Sequence, residues 1–357
     1  MKALILAAGQ GTRLRPVTLT MPKSLVPVAN RWLINYALDA LKKAGLTDIG
    51  IVVNSLDSPI VTNLKDGQAL GVKIEYIVQD EQLGLAHATA LCHDFVGAEP
   101  FTVFLGDNIF QDKMTGLLTS FADSDKEAAV VLGSVSDPTR FGIAEIDNGR
   151  ILRVVEKPKD PPSNMAIAGV YLFRASIFEA IQRIRPSGRN ELEITDAIQV
   201  LIDDGLPVAS YNLNGWWIDA GKPNAIIMAN QLVLEELPYT PAPEQSEQIE
   251  GESEVSHRVL IGRNSRIIDS VVRGPVIIGD NTVIRNSYVG PYTSIGDKVT
   301  VEGSEIEASI VMKNCEIRNI IGRIDRSLLA DNARVTSATH MPDAHRFVLA
   351  ENSYVQF

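Results

Sequence analysis

Hydrophobic residues in the first 237 positions follow two alternating patterns. Apolar runs such as KALILAA (2–8), DIGIVVN (48–54) and FTVFLGD (101–107) are typical of buried strands. Segments such as WLINYALDALKKAG (32–45) and HATALCHDFV (87–96) place apolar residues at helical spacing and predict helices. This alternation predicts an α/β fold, a Rossmann-like and mainly parallel sheet with helices on both faces. Ligands bind such sheets at the carboxyl ends of the strands.

The pattern changes after this region. Residues 238–255 are rich in Pro, Glu, Ser and Gln, show no periodicity, and are interpreted as a linker. Beyond the linker the helical pattern disappears and short strand-like units follow one another. The predicted organisation is therefore an α/β domain at 1–237, a linker at 238–255 and a second domain at 256–357.

A short repeat marks the second domain. Ile267 follows Ile261 by six residues, and Ile284 follows Ile278 by six, each pair enclosing a polar turn. An aliphatic residue at every sixth position is the signature of a left-handed parallel β-helix. The spacing slips around Val271–Pro275, between Ile284 and Val289, and after Val301, so we expect loops or irregular rungs there.

Composition and charge exclude several classes of function. The chain of 357 residues carries a net charge of -11, which argues against nucleic-acid binding through a broad basic face. The two cysteines, Cys92 and Cys315, do not form a disulfide framework, and no apolar run reaches the length of a membrane span. Without a recognisable secretion signal, we expect a cytoplasmic protein that does not bind membranes.

A glycine-containing turn follows the first predicted strand. The segment GQGTRLRP (9–16) lacks the Gly-Lys-Ser/Thr of a P-loop, and Leu14 stands where a dinucleotide fingerprint needs its third glycine. The remaining interpretation is a turn that offers backbone amides to a phosphate, with Arg13 adding positive charge. Lys23, between two prolines, is a second candidate for the same phosphates.

Carboxylates and a lysine follow other predicted strands. Asp107 ends FTVFLGD and Asp219 lies in GWWIDAG, and two such aspartates on separate loops could hold Mg²⁺ against a triphosphate. Glu156 and Lys157 precede Pro158 and could bind a sugar hydroxyl and a sugar phosphate.

Seven segments together resemble a known family. They occur in a fixed order: GQGTRLRP, PKSLVPV, QDEQLGLAHA, LGDNIF, EKPKDPPSN, ELEITDAI and GWWIDAG. The set resembles the sugar-1-phosphate nucleotidylyltransferases, and among them the longer glucose-1-phosphate thymidylyltransferases that carry a C-terminal left-handed β-helix. The resemblance implies that an oxygen of glucose 1-phosphate attacks the α-phosphorus of dTTP, with Mg²⁺ as cofactor, and that pyrophosphate leaves.

The resemblance also implies roles for individual residues. The catalytic groups would be Arg13, Lys23, Asp107 and Lys157. The nucleotide would contact Leu6, Ala8, Gly9, Gly11, Thr12, Arg13, Gln79, Gly84 and Asp107. The sugar phosphate would contact Asn108, Gly142, Glu156, Lys157, Ala168, Val170 and Glu191. The metal ligands would be Asp107 and Asp219.

The identity of the nucleotide stays open between dTTP and UTP. Gln79 would pair with a pyrimidine edge, since an amide offers both a donor and an acceptor. Thymine and uracil share that edge. Ser24 follows the lysine where thymidylyltransferases usually carry Gln, Phe141 replaces the usual Tyr, and Ala220 the usual Thr. The change at Ser24 weakens the assignment to dTTP.

Two other functions are weighed against this one. In a bifunctional enzyme the β-helix would be an acyltransferase, which needs a histidine base between rungs. His257 lies at the entry, His340 and His345 lie beyond the repeats, and no histidine falls between Val259 and Thr339. A non-catalytic homologue would tend to lose the charged set, which is present. The β-helix is interpreted as an oligomerisation or docking element, and we expect a homo-oligomer.

Overall fold

The computed structural model describes residues 1–111, 114–147, 150–243, 248–337 and 353–355. His340 and His345 lie outside the described residues. The chain divides into two compact units. The first unit consists of Met1–Gln10, Met21–Leu25 and Leu33–Asp219, and the second of Gly11–Thr20, Val26–Trp32 and the chain from Ala220 onward.

Strands and helices alternate up to the end of the last long helix. In chain order the elements are β1 (Lys2–Leu6), β2 (Pro27–Val28), β3 (Arg31–Trp32), α1 (Leu33–Lys43), β4 (Asp48–Val53), α2 (Pro59–Leu64), β5 (Lys73–Val78), α3 (Leu85–Ala90), α4 (His93–Val96), β6 (Phe101–Leu105), β7 (Asn108–Phe110), α5 (Thr115–Phe121), β8 (Ala128–Ser134), β9 (Gly142–Asp147), β10 (Arg150–Glu156), β11 (Met165–Phe173), α6 (Ser176–Arg183), α7 (Ile194–Asp203), β12 (Val208–Asn212), β13 (Trp217–Asp219) and α8 (Pro223–Glu235).

The main sheet of the first unit confirms the predicted Rossmann-like α/β class. Its strands lie in the order β10-β9-β11-β6-β1-β4-β5, and β8 joins β11 to β12. The half formed by β6, β1, β4 and β5 is parallel, while β9, β10 and β11 pair antiparallel to their neighbours. Of these strands, β1, β4 and β6 are buried on both faces, which explains their continuous apolar runs, whereas the edge strand β5 is partly exposed. Their carboxyl ends share one edge of the sheet.

The helix predicted over 87–96 is interrupted. The structure has α3 and α4 instead, and the amide of Cys92 between them bonds to the Thr89 carbonyl 3.0 Å away. The Thr89 hydroxyl donates back to the Leu85 carbonyl at 2.9 Å. Such back-bonding bends helices, and it is invisible to hydrophobic periodicity.

Short parallel strands make up the chain after α8. They are β14 (Ile249–Glu250), β15 (Glu254–Val255), β16 (Val259–Ile261), β17 (Arg266–Ile268), β18 (Val271–Val272), β19 (Val276–Ile278), β20 (Val283–Arg285), β21 (Tyr288–Val289), β22 (Thr293–Ile295), β23 (Thr300–Glu302), β24 (Glu305–Glu307), β25 (Ile310–Val311), β26 (Glu316–Arg318), β27 (Arg323–Asp325), β28 (Leu328–Leu329) and β29 (Arg334–Thr336). They form three parallel sheets, as a left-handed β-helix requires. Two of these strands, β14 and β15, lie inside the segment interpreted as a linker, because two-residue strands carry no periodic signal.

Most of the expected irregularities recur at equivalent positions in successive coils. Ile267 pairs with Ile284 and Ile284 with Val301, so these coils advance by 17 residues, one fewer than three sides of six would give. The next pairing partner of Val301 is Ile317. Between Ile284 and Val289 the chain therefore has the second of the two predicted irregularities, an irregular rung and not a loop: one side of the coil is five residues long.

A repeated corner explains the short side. Asp269, Asn286 and Gly303 adopt positive φ values of 47°, 46° and 56° at equivalent positions. Each is followed by a serine, and the Ser287 hydroxyl donates to the Arg285 carbonyl at 2.7 Å while it accepts the next coil's Ser304 amide at 3.3 Å. A residue in the left-handed conformation, followed by a serine whose hydroxyl bonds to the carbonyl two residues before it, turns the chain within two residues.

Helix α8 is anchored to the β-helix by one buried amide. The Asn230 side chain is fully buried; its Oδ1 accepts from the Ala29 amide at 2.8 Å and from the Ser294 hydroxyl at 2.7 Å. Its Nδ2 donates to the Tyr292 carbonyl at 3.0 Å. Asn30 adds a bond to the Ile295 carbonyl at 2.7 Å. The hairpin β2–β3, helix α8 and strand β22 are thus joined through polar groups that are all paired.

None of the helices in the described part of the chain is both long and apolar enough to cross a membrane.

Candidate active site

Two carboxylates and a lysine meet at the carboxyl end of β6. The Lys23 ammonium forms an ion pair with Asp107 Oδ2 and lies 3.6 Å from Asp219 Oδ1. Asp219 reaches this place because β13 pairs antiparallel with β7, with Asp219 opposite Asn108. All three residues are predicted from the sequence, and the structure brings them together.

The side chain of Asn108 positions Asp107. Its Nδ2 donates to Asp107 Oδ1 at 2.8 Å, and its Oδ1 accepts from Trp217 Nε1 at 2.5 Å. Asn108 is 2% exposed, so this amide is occupied by its neighbours. Asn108 thus links the aspartate to the strand that carries Asp219, and its predicted contact with the sugar stays a prediction.

A cavity of about 220 Å³ opens beside these carboxylates. Among the predicted residues, its lining includes Leu6, Ala8, Gly9, Lys23, Gln79, Gly84, Asp107 and Glu191. Residues that were not predicted as ligand contacts also line it: Ala7, Ser24, Gln82, Leu85, Ala88, Leu105 and Gly106. The lining therefore combines apolar side chains with a few polar and charged groups, as expected for a pocket that binds a small molecule.

Ser24 stands out among the lining residues that were not predicted as ligand contacts. It is 3% exposed, and its hydroxyl has no hydrogen-bond partner among the described residues. A buried hydroxyl without a partner destabilises the fold, and it points to a group that a ligand supplies.

Gln79 follows β5 and is held in one orientation. Its Nε2 donates to the Gly84 carbonyl at 3.2 Å and lies 3.1 Å from His87 Nδ1. Gln79 is 4% exposed, so the amide contributes to the cavity wall from a buried position.

Gly84 lies where two loops meet. Its φ is 101°, and a Cβ there would fall 2.5 Å from the Leu192 carbonyl oxygen. The Leu192 amide donates to the Leu83 carbonyl at 2.7 Å, and the Leu192 carbonyl accepts the Ala86 amide at 3.1 Å. This backbone pairing brings Glu191 to the cavity, so only glycine fits at position 84.

The predicted sugar-binding residues gather around Glu156. Gly142 pairs with Glu156 across β9 and β10, and a Cβ on Gly142 would lie 3.1 Å from Glu156 Oε2 and 2.7 Å from the Thr195 methyl. The Thr195 hydroxyl donates to Glu156 Oε2 at 3.2 Å. Lys157 Nζ lies 3.4 Å from Glu156 Oε1 and is exposed, with φ at 42°. Thr195 was not named from the sequence.

Arg189 is a functional candidate that sequence reasoning missed. Its guanidinium lies 2.7 Å from Glu193, 3.3 Å from Glu156 and 3.5 Å from Glu191. Burial opposes the charge, yet the neighbouring Glu193 and Glu156 carboxylates raise the pKa of Arg189 above its ordinary value. The available sequence signal for this residue was the arginine that begins RNELE, a short segment with two glutamates.

Two predicted sugar contacts are buried. Ala168 and Val170 are fully buried in β11, whose pairing with β8 is irregular between Ile167 and Tyr171. Their side chains belong to the core, so these positions can reach a ligand only through backbone atoms.

The second half of the glycine turn belongs to the second unit. Gly11 has φ at 62° and precedes a single turn of 3-10 helix at Thr12–Leu14. Thr12 and Arg13 are exposed. Their contacts with the nucleotide phosphates stay predictions.

The aspartate pair fits a divalent cation. Both carboxylates already converge on one positive group, the Lys23 ammonium. Mg²⁺ is usually bound by one or two protein carboxylates together with water and phosphate oxygens. Within the described residues no cluster of three His, Cys, Asp or Glu side chains could hold a metal, so a metal here would need oxygens from a ligand.

Comparison with known proteins places this site in a family. The nucleotidyl transferase family pattern matches residues 2–236. The whole chain is 42% identical to glucose-1-phosphate thymidylyltransferase of Streptomyces antibioticus, spanning 99% of that protein. It is 44% identical to the low-salt glycan biosynthesis nucleotidyltransferase Agl11 of Haloferax volcanii, spanning 100% of it.

A solved structure agrees with these relatives. A crystal structure assigned as a glucose-1-phosphate thymidylyltransferase from Bacillus anthracis matches with a TM-score of 0.62 and 40% identity. The match covers 67% of this chain and 97% of that one. Together with the lysine and aspartate pair beside the cavity, these similarities show that the chain belongs to the nucleotidyl transferase family.

Proposed function

We propose that this enzyme transfers a thymidylyl group from dTTP to glucose 1-phosphate, giving dTDP-glucose and pyrophosphate. The observation that carries the proposal is the convergence of Asp107 and Asp219 on Lys23 at the end of the cavity. Nucleotidyl transfer brings several phosphate charges together, and it needs positive groups and a metal site at one place. Full-length relatives with this activity support the choice of substrates.

The chain's own residues would act by binding and charge neutralisation. Lys23 would neutralise the α-phosphate while an oxygen of the sugar phosphate attacks phosphorus and the bond to the leaving pyrophosphate breaks. Asp107 and Asp219 would hold Mg²⁺, which neutralises phosphate charge when bound. Alignment of the two substrates supplies much of the remaining rate.

Lys157 and Arg189 would bind the sugar phosphate. The Lys157 ammonium and the Arg189 guanidinium lie 3.4 Å and 3.3 Å from Glu156 Oε1. An incoming phosphate can take the place of this carboxylate as the anionic partner of both cations. Glu156 is then left to accept hydrogen bonds from sugar hydroxyls, with Gly142 leaving the space beside it.

The base would lie against the apolar wall of the cavity. Leu85, Ala88 and Leu105 would contact its face, and Gln79 its edge. A uridylyl donor shares that edge, so UTP is the alternative nucleotide. The two nucleotides differ by the methyl group of thymine and the 2′-hydroxyl of UTP, so the choice depends on these two groups.

A substrate matrix tests the proposal. Pyrophosphate release is measured with each common nucleoside triphosphate against several sugar 1-phosphates in the presence of Mg²⁺. We expect dTTP with α-D-glucose 1-phosphate to give the highest kcat/KM, and chelation of Mg²⁺ to abolish release. The greatest rate with a purine nucleotide would contradict the role of Gln79, and no release with any pair would remove the enzyme function.

We further propose that the β-helix mediates homo-oligomerisation. Its strands form three parallel sheets, and such faces are suited to side-by-side packing. An acyltransferase function has no histidine between Val259 and Ser337 to serve as its base. Sedimentation analysis would measure the subunit number, and a monomer at micromolar concentration would refute the proposal.

A further inference from the structure

The orientation of the Gln79 amide follows from its partners. The Gly84 carbonyl only accepts hydrogen bonds, so the Gln79 atom 3.2 Å from it must be the nitrogen. The same nitrogen lies 3.1 Å from His87 Nδ1. Its two hydrogens therefore serve Gly84 and His87, and His87 Nδ1 must be the unprotonated, accepting nitrogen of the ring.

This arrangement decides what the side chain offers to a ligand. With both hydrogens used, Oε1 is the remaining polar atom of Gln79, and among the described residues it makes no hydrogen bond. Gln79 lines the cavity. The side chain therefore presents an acceptor, and a ligand must bring an N–H or O–H donor to meet it.

We infer that His87 is a positioning residue that makes the cavity selective for bases with an N–H donor on the facing edge. The inference rests on the proposed function, because it concerns the base of the nucleotide. Thymine and uracil carry an N–H at ring position 3, whereas cytosine carries a lone pair there. Two acceptors facing each other repel, so cytosine is rejected only while His87 keeps the amide from turning over.

Without an acceptor at position 87, one of the two hydrogen bonds that fix the orientation of the Gln79 amide is lost. The Gly84 carbonyl still accepts one hydrogen, but the second donor loses its partner. Gln79 can then rotate and offer its nitrogen to cytosine. The apolar wall and the phosphate site are unchanged, so the effect should fall on the nucleotide KM and on base preference, with kcat retained.

The test compares three variants for turnover of dTTP and dCTP with glucose 1-phosphate. We expect His87→Leu to lower the dTTP-to-dCTP ratio of kcat/KM about tenfold, the size of one lost hydrogen bond, through the nucleotide KM. His87→Asn, whose side-chain oxygen can accept in place of Nδ1, should restore most of the ratio. His93→Leu, on α4 with a 63% exposed side chain, is the matched control and should match the wild type.

Each other outcome overturns the inference. An unchanged ratio in His87→Leu means that Gly84 alone holds Gln79. Equal losses for both nucleotides and for the glucose 1-phosphate KM, with a lower Tm, mean that His87 is only structural. If the wild type releases no pyrophosphate at all, the proposed function fails, while equilibrium binding of dTTP and dCTP to the wild type and His87→Leu still decides the role of His87.

Discussion

Asp107 and Asp219 face the same ammonium from two different strands. Replacing either by Asn keeps the shape and removes the charge that a divalent cation needs. We expect Asp107→Asn and Asp219→Asn each to lower kcat by roughly 10²–10³-fold, the scale reported for a lost electrostatic contact to a transition state. Pyrophosphate release under saturating substrates and Mg²⁺ measures the loss.

Asp94 provides the control for this charge removal. Its side chain is fully exposed on α4, with a relative exposure of 104%. Asp94→Asn should keep wild-type kcat. Near-normal turnover by Asp219→Asn would remove that residue from the metal site and leave Asp107 as its single protein ligand.

The unpartnered hydroxyl of Ser24 leads to a second prediction. Ser24→Ala removes a buried polar group that bonds to nothing among the described residues, so the free energy of unfolding should stay equal or rise slightly. If the nucleotide supplies the missing partner, its KM should increase about fivefold to tenfold. Steady-state kinetics and thermal unfolding of the same samples separate the two effects.

A serine that does have a partner gives the contrast. Ser58 caps α2 by accepting from the Ile60 amide at 3.3 Å. Ser58→Ala should lower the free energy of unfolding by about 1 kcal/mol and leave the KM values alone. If Ser24→Ala behaved in the same way, the Ser24 hydroxyl would be a structural group.

Residue roles were predictable where chemistry depends on charge at a strand end. Lys23 and Asp107 are 84 residues apart, yet each is set beside a turn that the sequence reveals. Ser24 and the Gln79–His87 contact were not predictable, since they depend on which side chains find partners after packing. Arg189 was predictable only in part, because two of the carboxylates that it contacts are close to it in sequence and the third, Glu156, comes from a separate segment.

At the level of elements, Asn230 explains how α8 is held. Asn230→Ala would leave the Ala29 amide and the Ser294 hydroxyl buried without partners. We expect the free energy of unfolding to fall by about 2–4 kcal/mol, because unpaired buried groups lose their full hydration. Denaturant unfolding followed by circular dichroism measures the change.

Met228 lies on the same helix and is 51% exposed. Met228→Ala should change the free energy of unfolding by less than about 0.5 kcal/mol, the usual size for a surface substitution. Equal losses in the two variants would mean that the buried amide of Asn230 contributes no more to stability than an exposed side chain of the same helix.

Periodicity predicted long elements well and short ones poorly. Apolar runs located β1, β4 and β6, and helical spacing located α1, because many residues repeat the same signal. The break between α3 and α4 depends on one hydroxyl and one amide, and the short side of each coil depends on a single left-handed residue. A feature that depends on one residue does not change a hydrophobic pattern that is read over about ten residues.

For the molecule as a whole, the two cysteines are natural probes. Cys92 belongs to the first unit and Cys315 to the second. Burial raises the pKa of the Cys92 thiol to about 12 and that of Cys315 to about 11, so the reactive thiolate is disfavoured at both sites. We expect almost no reaction of the native protein with a disulfide reagent at pH 8.

Urea should expose the two thiols, and Cys92→Ala and Cys315→Ala variants assign each labelling transition to one unit. Different midpoints would mean that the units unfold separately, as the division of the chain suggests. Fast labelling of either thiol in native buffer would contradict the burial on which this prediction rests. The division itself was not predictable, because Gly11–Thr20 and Val26–Trp32 leave their sequence neighbours to join the second unit.

The coils between Ile267 and Val301 advance by 17 residues and set a unit of length for this part of the β-helix. Removing residues 271–287 would join Ser270 to Tyr288, the residue that already follows the equivalent Ser287, so every later rung keeps its inward and outward positions. Removing one residue more would turn inward side chains outward from that point on. The domain can therefore be shortened only in whole steps, and a soluble, folded protein should result from the first deletion and not from the second.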